Sequence, residues 1–256
     1  MKKQLKIYLI LFACALLVSP SLFSQNQLFA VNMGKINFDK GGQFVKALKA
    51  SNAIIKKDSK TPVYYNTFIT ETNQFMQVAP IKSFADLGKM TEHVGANNQL
   101  IGAELLQQGG EAMEDNHTSI VSLRNDLSVF LPKGTDVSDR NQIRWQHLYF
   151  HPKDAAKVYA IVKKAKAHWE QSGSEVIYYI YQPVFGADLN RVILVHQGTS
   201  RADFEAADAV HNAQLKNPEF MALLTELQSM ITDIRIDYGW YRPDLSLLPA
   251  AVPQEK

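Results

Sequence analysis

Asn190-Arg-Val-Ile-Leu-Val195 followed, four residues later, by Ser200-Arg-Ala-Asp203 decides the reading of this chain, because the same order has already occurred once. Asn73-Gln-Phe-Met-Gln-Val78 precedes Ser83-Phe-Ala-Asp86 at the same spacing. In each case a returning strand leads into Ser-x-x-Asp, which places side-chain oxygens where the first turn of a helix leaves backbone N–H groups free. Upstream of each lies a pair of tyrosines, Tyr64-Tyr65 and Tyr178-Tyr179, preceded by a lysine-rich helical stretch. Matched order over about 30 residues implies two copies of one supersecondary unit.

Working outward, the first unit opens with a strand over 28–37. A helix follows, in which Phe44, Val45, Leu48 and Ile54-Ile55 recur near helical spacing while Lys46, Lys49, Lys56 and Lys57 take the wet side. Aromatic and β-branched residues predict a strand over 63–70, with its return over 75–80. Ser83 is expected to cap a long, interrupted helical stretch from Leu87 to Met113. Strand material at 119–123 and 127–132 closes a βαββαβ unit. The second unit repeats that order: a strand over 143–150, a helix opened by His151-Pro-Lys-Asp154, strands over 175–181 and 191–196, a helix capped by Ser200 and broken at Asn217-Pro218, an amphipathic helix over 219–231, and a last strand over 234–240.

The expected organisation is a leader at 1–24, a first repeat at 25–132, a polar linker at 133–142, a second repeat at 143–246 and a flexible tail at 247–256. Strands such as Val176-Ile-Tyr-Tyr-Ile-Tyr181 are apolar on both faces, so both faces must be covered. Helices cover one face, and the sheet of the other unit is the simplest cover for the second. The fold class is therefore α+β: two ferredoxin-like repeats packed sheet to sheet as a pseudo-dimeric α/β barrel.

Met1-Lys-Lys-Gln-Leu-Lys6 is basic and residues 7–18 are apolar, followed by Ser19-Pro20-Ser21 and a cleavage point after Ser24 or Ala30. The apolar run is short of the roughly 20 residues that cross a bilayer, so export to the periplasm or beyond is expected, with no transmembrane segment in the mature chain. Leu11-Phe-Ala-Cys14 also leaves lipid attachment at Cys14 open. After cleavage at Ser24 the chain has no cysteine, hence no disulfide and no thiolate metal site. Loss of Lys2, Lys3 and Lys6 takes the formal charge from +2 to about −1, which removes any basic field for nucleic acid.

Candidate chemistry gathers in the second unit. Trp145, His147 and Tyr149 alternate and share one face of a strand, and His196 ends another. If both histidines face the barrel interior, either could act as a general base near neutral pH or ligate a metal. His147 and His151 lack a third ligand, so no metal site is assigned. His93, His117, His168 and His211 read as solvated. Trp145, Tyr149, Tyr179 and Tyr181 could line a pocket for a flat hydrophobic ligand, or serve as plain core. Arg144, Arg191 and Arg235 sit in strands, where a charge needs a reason: Arg144 is the candidate for a ligand carboxylate, and Asp237 is a pairing partner within reach. No phosphate-binding glycine loop and no Gly-x-Ser-x-Gly elbow occurs.

The βαββαβ doubling, the tyrosine-rich strand, Ser200-Arg-Ala-Asp203 and Asn217-Pro-Glu-Phe220 before a final amphipathic helix resemble the dimeric α/β-barrel superfamily. That group includes antibiotic-biosynthesis-type monooxygenases, EthD-like and NIPSNAP-like proteins and haem-handling chlorite-dismutase-type enzymes. The resemblance implies a barrel, homo-oligomers as one possible state, and, in the haem relatives, an interior histidine on the iron. The expectation is an exported barrel without a cofactor that binds a small hydrophobic or aromatic ligand. The alternatives are a cofactor-independent monooxygenase- or isomerase-type enzyme with His147 or His196 as base, and a haem-binding barrel. Any site is expected in the second unit.

Overall fold

The computed structural model describes residues 26–131, 135–171, 177–186 and 188–249. The expectations for the leader, Cys14, the first residues of the linker, the start of the 175–181 strand and the end of the tail fall outside them.

The chain runs βαββαβ twice. The first half comprises β1 (Leu28–Ile36), α1 (Gly41–Asp58), β2 (Asn66–Thr70), β3 (Gln74–Ile81), α2 (Asp86–Ile101), α3 (Ala103–Gly110) and β4 (Met113–Leu123). The second comprises β5 (Gln142–Phe150), α4 (Ala155–Gln171), β6 (Tyr179–Phe185), β7 (Arg191–Gly198), α5 (Arg201–Gln214), α6 (Pro218–Gln228) and β8 (Ile231–Tyr241). Gly102, at φ +83°, separates α2 from α3 in a conformation that glycine adopts without strain. Asn217 separates α5 from α6: its side chain accepts from the N–H groups of Glu219 (2.9 Å) and Phe220 (3.2 Å), and Pro218 fills the first helical position.

Eight strands close into one antiparallel barrel in the order β1-β3-β2-β8-β5-β7-β6-β4. Each half is therefore a four-stranded ferredoxin-like sheet, ordered β4-β1-β3-β2 and β6-β7-β5-β8, and two seams join them. At one seam Phe68, Ile69 and Thr70 of β2 pair with Tyr241, Trp240 and Gly239 of β8. At the other, β4 pairs with β6 from Ile120 and Phe185 to Leu123 and Tyr181. Alternation along each strand sends one set of side chains into the barrel and the other toward the helices. The interior core holds Ile143, Trp145, Ile193 and Val195 against Phe68, Met76, Tyr179, Tyr181 and Tyr241. Beneath the second half's helices, Leu148, Phe150, Ile180 and Val192 pack on Val158, Ile161, Trp169 and Phe220.

Several local expectations are corrected. Residues 127–131 form no strand: Arg124 to Leu127 turns tightly, and only Val129 bridges to Tyr178. Likewise β2 begins at Asn66, because Tyr65 bridges to Leu247 instead. Ala85 takes the cap position of α2, with the Ser83 hydroxyl donating to the Asp86 carboxylate at 3.1 Å. Ser200 takes the cap position of α5 but makes no capping bond to the helix backbone; instead its hydroxyl donates to Asp203 at 3.4 Å, and Asp203 accepts from the Thr199 N–H at 2.6 Å. Leu247 is wholly buried with Leu245, so the chain is held past the expected start of its tail. The Leu245 carbonyl accepts from Asn52 (2.8 Å) and Thr67 (3.0 Å), tying the C-terminal segment to the first half. Among the described residues, no helix is long and apolar enough to cross a membrane.

Candidate functional site

Three constellations follow from the strand alternation, one inside the barrel and one under each set of helices. Inside the barrel, β5 places Trp145, His147 and Tyr149 on one face, as the sequence reading expected. Trp145 meets Phe68 edge to face with ring centroids 5.9 Å apart, and is core. His147 lies at the more polar end. Its Nε2 is 3.4 Å from an Asp237 oxygen, and Arg235 donates to the same carboxylate at 2.8 Å. Burial pushes the His147 pKa down, so the ring is neutral, with Nε2–H donating to Asp237. Nδ1 is then a bare acceptor, buried without a partner. Burial works to raise Asp237, but hydrogen bonds from His147 and Arg235 hold it below the usual carboxylate range. Arg191, on the same interior face of β7, donates to the Tyr149 hydroxyl at 3.0 Å and lies 3.6 Å from Asp188.

His196 is not part of this group. It lies on the opposite face of the sheet from His147, toward the helices, because it follows the interior residue Val195 by one position. There it stacks on Tyr178 at 6.2 Å, and its Nδ1 is 3.4 Å from Nη2 of Arg144. Burial, and secondarily the Arg144 charge, pushes the His196 pKa down to about 4. Arg144 donates through Nη1 to Asp208 at 2.7 Å and sits over the Phe204 ring at 5.4 Å. Arg144, Tyr178, His196 and Asp208 line a cavity of about 260 Å³ beneath α4, α5 and α6, together with Trp169, His211 and Phe220. His168 and His211, expected in solvent, are half-buried: His168 stacks on Phe220 at 4.7 Å and His211 on Trp169 at 5.3 Å.

The larger cavity, about 490 Å³, lies in the first half between its sheet and α1, α2 and α3. Small residues make the space: Ala30 and Ala79 on the strands, Ala47 on α1 and Gly109-Gly110 at the end of α3 all line it. No lining residue carries a charge. Its polar groups are amides, hydroxyls and one phenol, several already paired within the protein. The Tyr65 hydroxyl donates to Asn52 at 2.5 Å, and burial pushes its pKa up to about 12. Asn97 accepts from Ser59 at 2.5 Å. Val94 and Leu106 line the cavity yet are 40% and 38% exposed, which makes the α2–α3 side its thinnest wall. The sequence reading missed this cavity. Its signal was an absence: small side chains on helix-facing positions that elsewhere carry bulk.

No family model matches the chain, and no curated protein matches it by sequence. Solved structures do match its fold. An anthrone oxidase-like protein superposes with a TM-score of 0.58 at 12% identity, over 88% of this chain and 97% of that one. A putative monooxygenase from Lactobacillus acidophilus gives 0.52 at 10% identity, over 85% and 94%. A mutant chlorite dismutase from Candidatus Nitrospira defluvii gives 0.52 at 11%, over 88% and 95%. The chain has the fold of the dimeric α/β-barrel proteins.

The haem-binding alternative expected from the sequence resemblance can be set against the two cavities. The cavity beside His196 and His211 is smaller than the roughly 300–1,000 Å³ of ordinary small-molecule sites, and both imidazoles are engaged with Arg144 or Trp169. The larger cavity offers no histidine or cysteine. As the side chains stand, neither fits a porphyrin with an axial imidazole. Among the described residues no group of three His, Cys, Asp or Glu side chains is placed to hold a metal ion.

Proposed function

We propose that this protein binds a small, uncharged hydrophobic or aromatic ligand in the cavity between the first half's sheet and helices α1, α2 and α3. The observation that carries this reading is a space of about 490 Å³ with apolar walls, a few neutral polar groups and no charged lining residue. Such a space suits a molecule with a large apolar body and one or two hydrogen-bonding atoms. A charged ligand would be stripped of water there with nothing to neutralise it. The second half contributes the barrel behind this pocket rather than its lining.

Fluorescence titration with an uncharged phenylnaphthylamine dye tests this directly. Wild-type protein should enhance the dye's emission saturably. Ala79→Leu, which fills the cavity from β3, should weaken binding tenfold or more while leaving the melting temperature unchanged or higher. Equal binding by the variant, or no enhancement with the wild type, would remove the reading.

A second reading has its own support. His147, oriented by Asp237 and with a buried unpartnered Nδ1, has the form of a general base, and structures named monooxygenase and anthrone oxidase-like share the fold. It predicts oxygen uptake in the presence of an anthrone, reduced about 10²-fold or more by His147→Gln. It fails if the wild type consumes no oxygen or if the variant matches it.

A further inference from the structure

The cavity of the second half contains a buried cation whose hydrogen-bonding capacity the protein leaves partly unused. Arg144 is only 5% exposed, and its Nε–H is buried without an acceptor. Among the described residues its one carboxylate partner is Asp208, which reaches it from the rim with its own side chain 56% exposed. The neighbouring His196 cannot help with charge, because it is neutral and offers Nδ1 as an acceptor; the ring proton then sits on Nε2. Apart from His211 and the amides of Gln146 and Gln228, the rest of the wall is apolar or aromatic, including Trp169, Ile180, Phe220 and Leu227. A guanidinium removed from water in such a place is costly unless an anion meets it.

The contrast with the first half isolates what these residues add. Ala30 and Arg144 are each the third residue of their strand, and they pair with Ala79 and His196 respectively. Val94 and His211 each fall eleven positions after Ser83 and Ser200. All six line their respective cavities. At three matched positions a neutral apolar side chain in one half is replaced by a guanidinium and two imidazoles in the other. The scaffold alone does not require these groups, since the first half folds the same way without them.

We propose that the cavity formed by β5, β7 and helices α4, α5 and α6 binds a small monocarboxylate with an apolar body, its carboxylate completing the coordination of Arg144. The volume of about 260 Å³ limits the guest to about the size of a single ring or a short branched chain. A carboxylate suits one guanidinium better than a phosphate, which carries more charge than this site can balance. Asp208 then acts as the resident competitor for Arg144.

The test uses the full chain with benzoate, phenylacetate and isovalerate as probes, and benzamide as the neutral match for benzoate. Trp169 lines the cavity, so the tryptophan emission that disappears in Trp169→Phe reports occupancy. At least one acid should bind in the millimolar range or tighter, with benzamide tenfold weaker than benzoate. Arg144→Gln should abolish the response. Should that variant fail to fold, Asp208→Asn decides instead: it changes a rim residue and should tighten acid binding severalfold by freeing Nη1. Binding of none of the three acids, equal binding of benzamide and benzoate, or weaker binding by Asp208→Asn would each overturn the proposal.

Discussion

His196 is neutral because of its position, and that has a measurable cost in acid. Burial first and Arg144 second lower its pKa from 6.5 to about 4. In the unfolded chain it would protonate near 6.5, so between those values the unfolded state binds more protons. Stability should therefore fall as pH drops from about 6.5 toward 4, by an amount on the order of 3 kcal/mol from this residue. Denaturant unfolding at pH 7 and pH 4.5 should show the loss in the wild type, and His196→Asn should flatten a large part of it. Equal pH dependence in the two proteins would mean that His196 is not held neutral. The sequence brought His196 to attention as the end of a strand, but not the face it takes. A shift of one residue exchanges the two faces of a strand, and only the register with Arg144 fixes which one is shown. Arg235 was more legible, because its pairing with Asp237 spans two positions of one strand and needs no tertiary knowledge.

At the scale of elements, the seams are the demanding part of this architecture, and each is marked by a glycine. A Cβ on Gly239 would lie 2.3 Å from the Ile69 carbonyl oxygen and 2.7 Å from the Thr70 Cα, both backbone atoms of β2. At the other seam, Gly186 follows β6 at φ +98°, and a Cβ there would meet the Ser119 Cα at 2.9 Å. Gly239→Ala should thus cost about 2 kcal/mol or more by prising β8 from β2. Gly41→Ala, where a Cβ meets nothing within 4 Å, is the matched control. Thermal melts of the two variants would check this, and similar melting temperatures would mean that the seam yields easily. Strand and helix order was readable because alternation and helical spacing are local. The seams were not, because β2 meets β8 across most of the chain and no pattern within either strand names its partner.

For the molecule as a whole, the repeated order of elements pointed to the barrel, since apolar character on both faces of a strand demands two covers. Polar and aromatic residues concentrated in the second half drew attention there, and many of them, Trp145, Tyr179 and Tyr181 included, fill the barrel interior. The roomier pocket belongs to the half with the plainer residues, because a cavity is made by side chains that are missing. Its residues are also scattered over six elements, so no stretch of sequence carries its signature. The C-terminal segment adds a further coupling that the sequence did not foretell: Leu245 and Leu247 leave β8 only to bury themselves against Asn52, Tyr65 and Thr67.

Closure of all eight strands within one chain has a consequence for how such a protein can vary. Where two identical subunits build a barrel, any substitution appears in both pockets, and the two must change together. Here each pocket is encoded by its own stretch of sequence behind a shared wall. One can gain an arginine while its counterpart keeps an alanine, and the chain is free to carry two unlike guests or to lose one without losing the other.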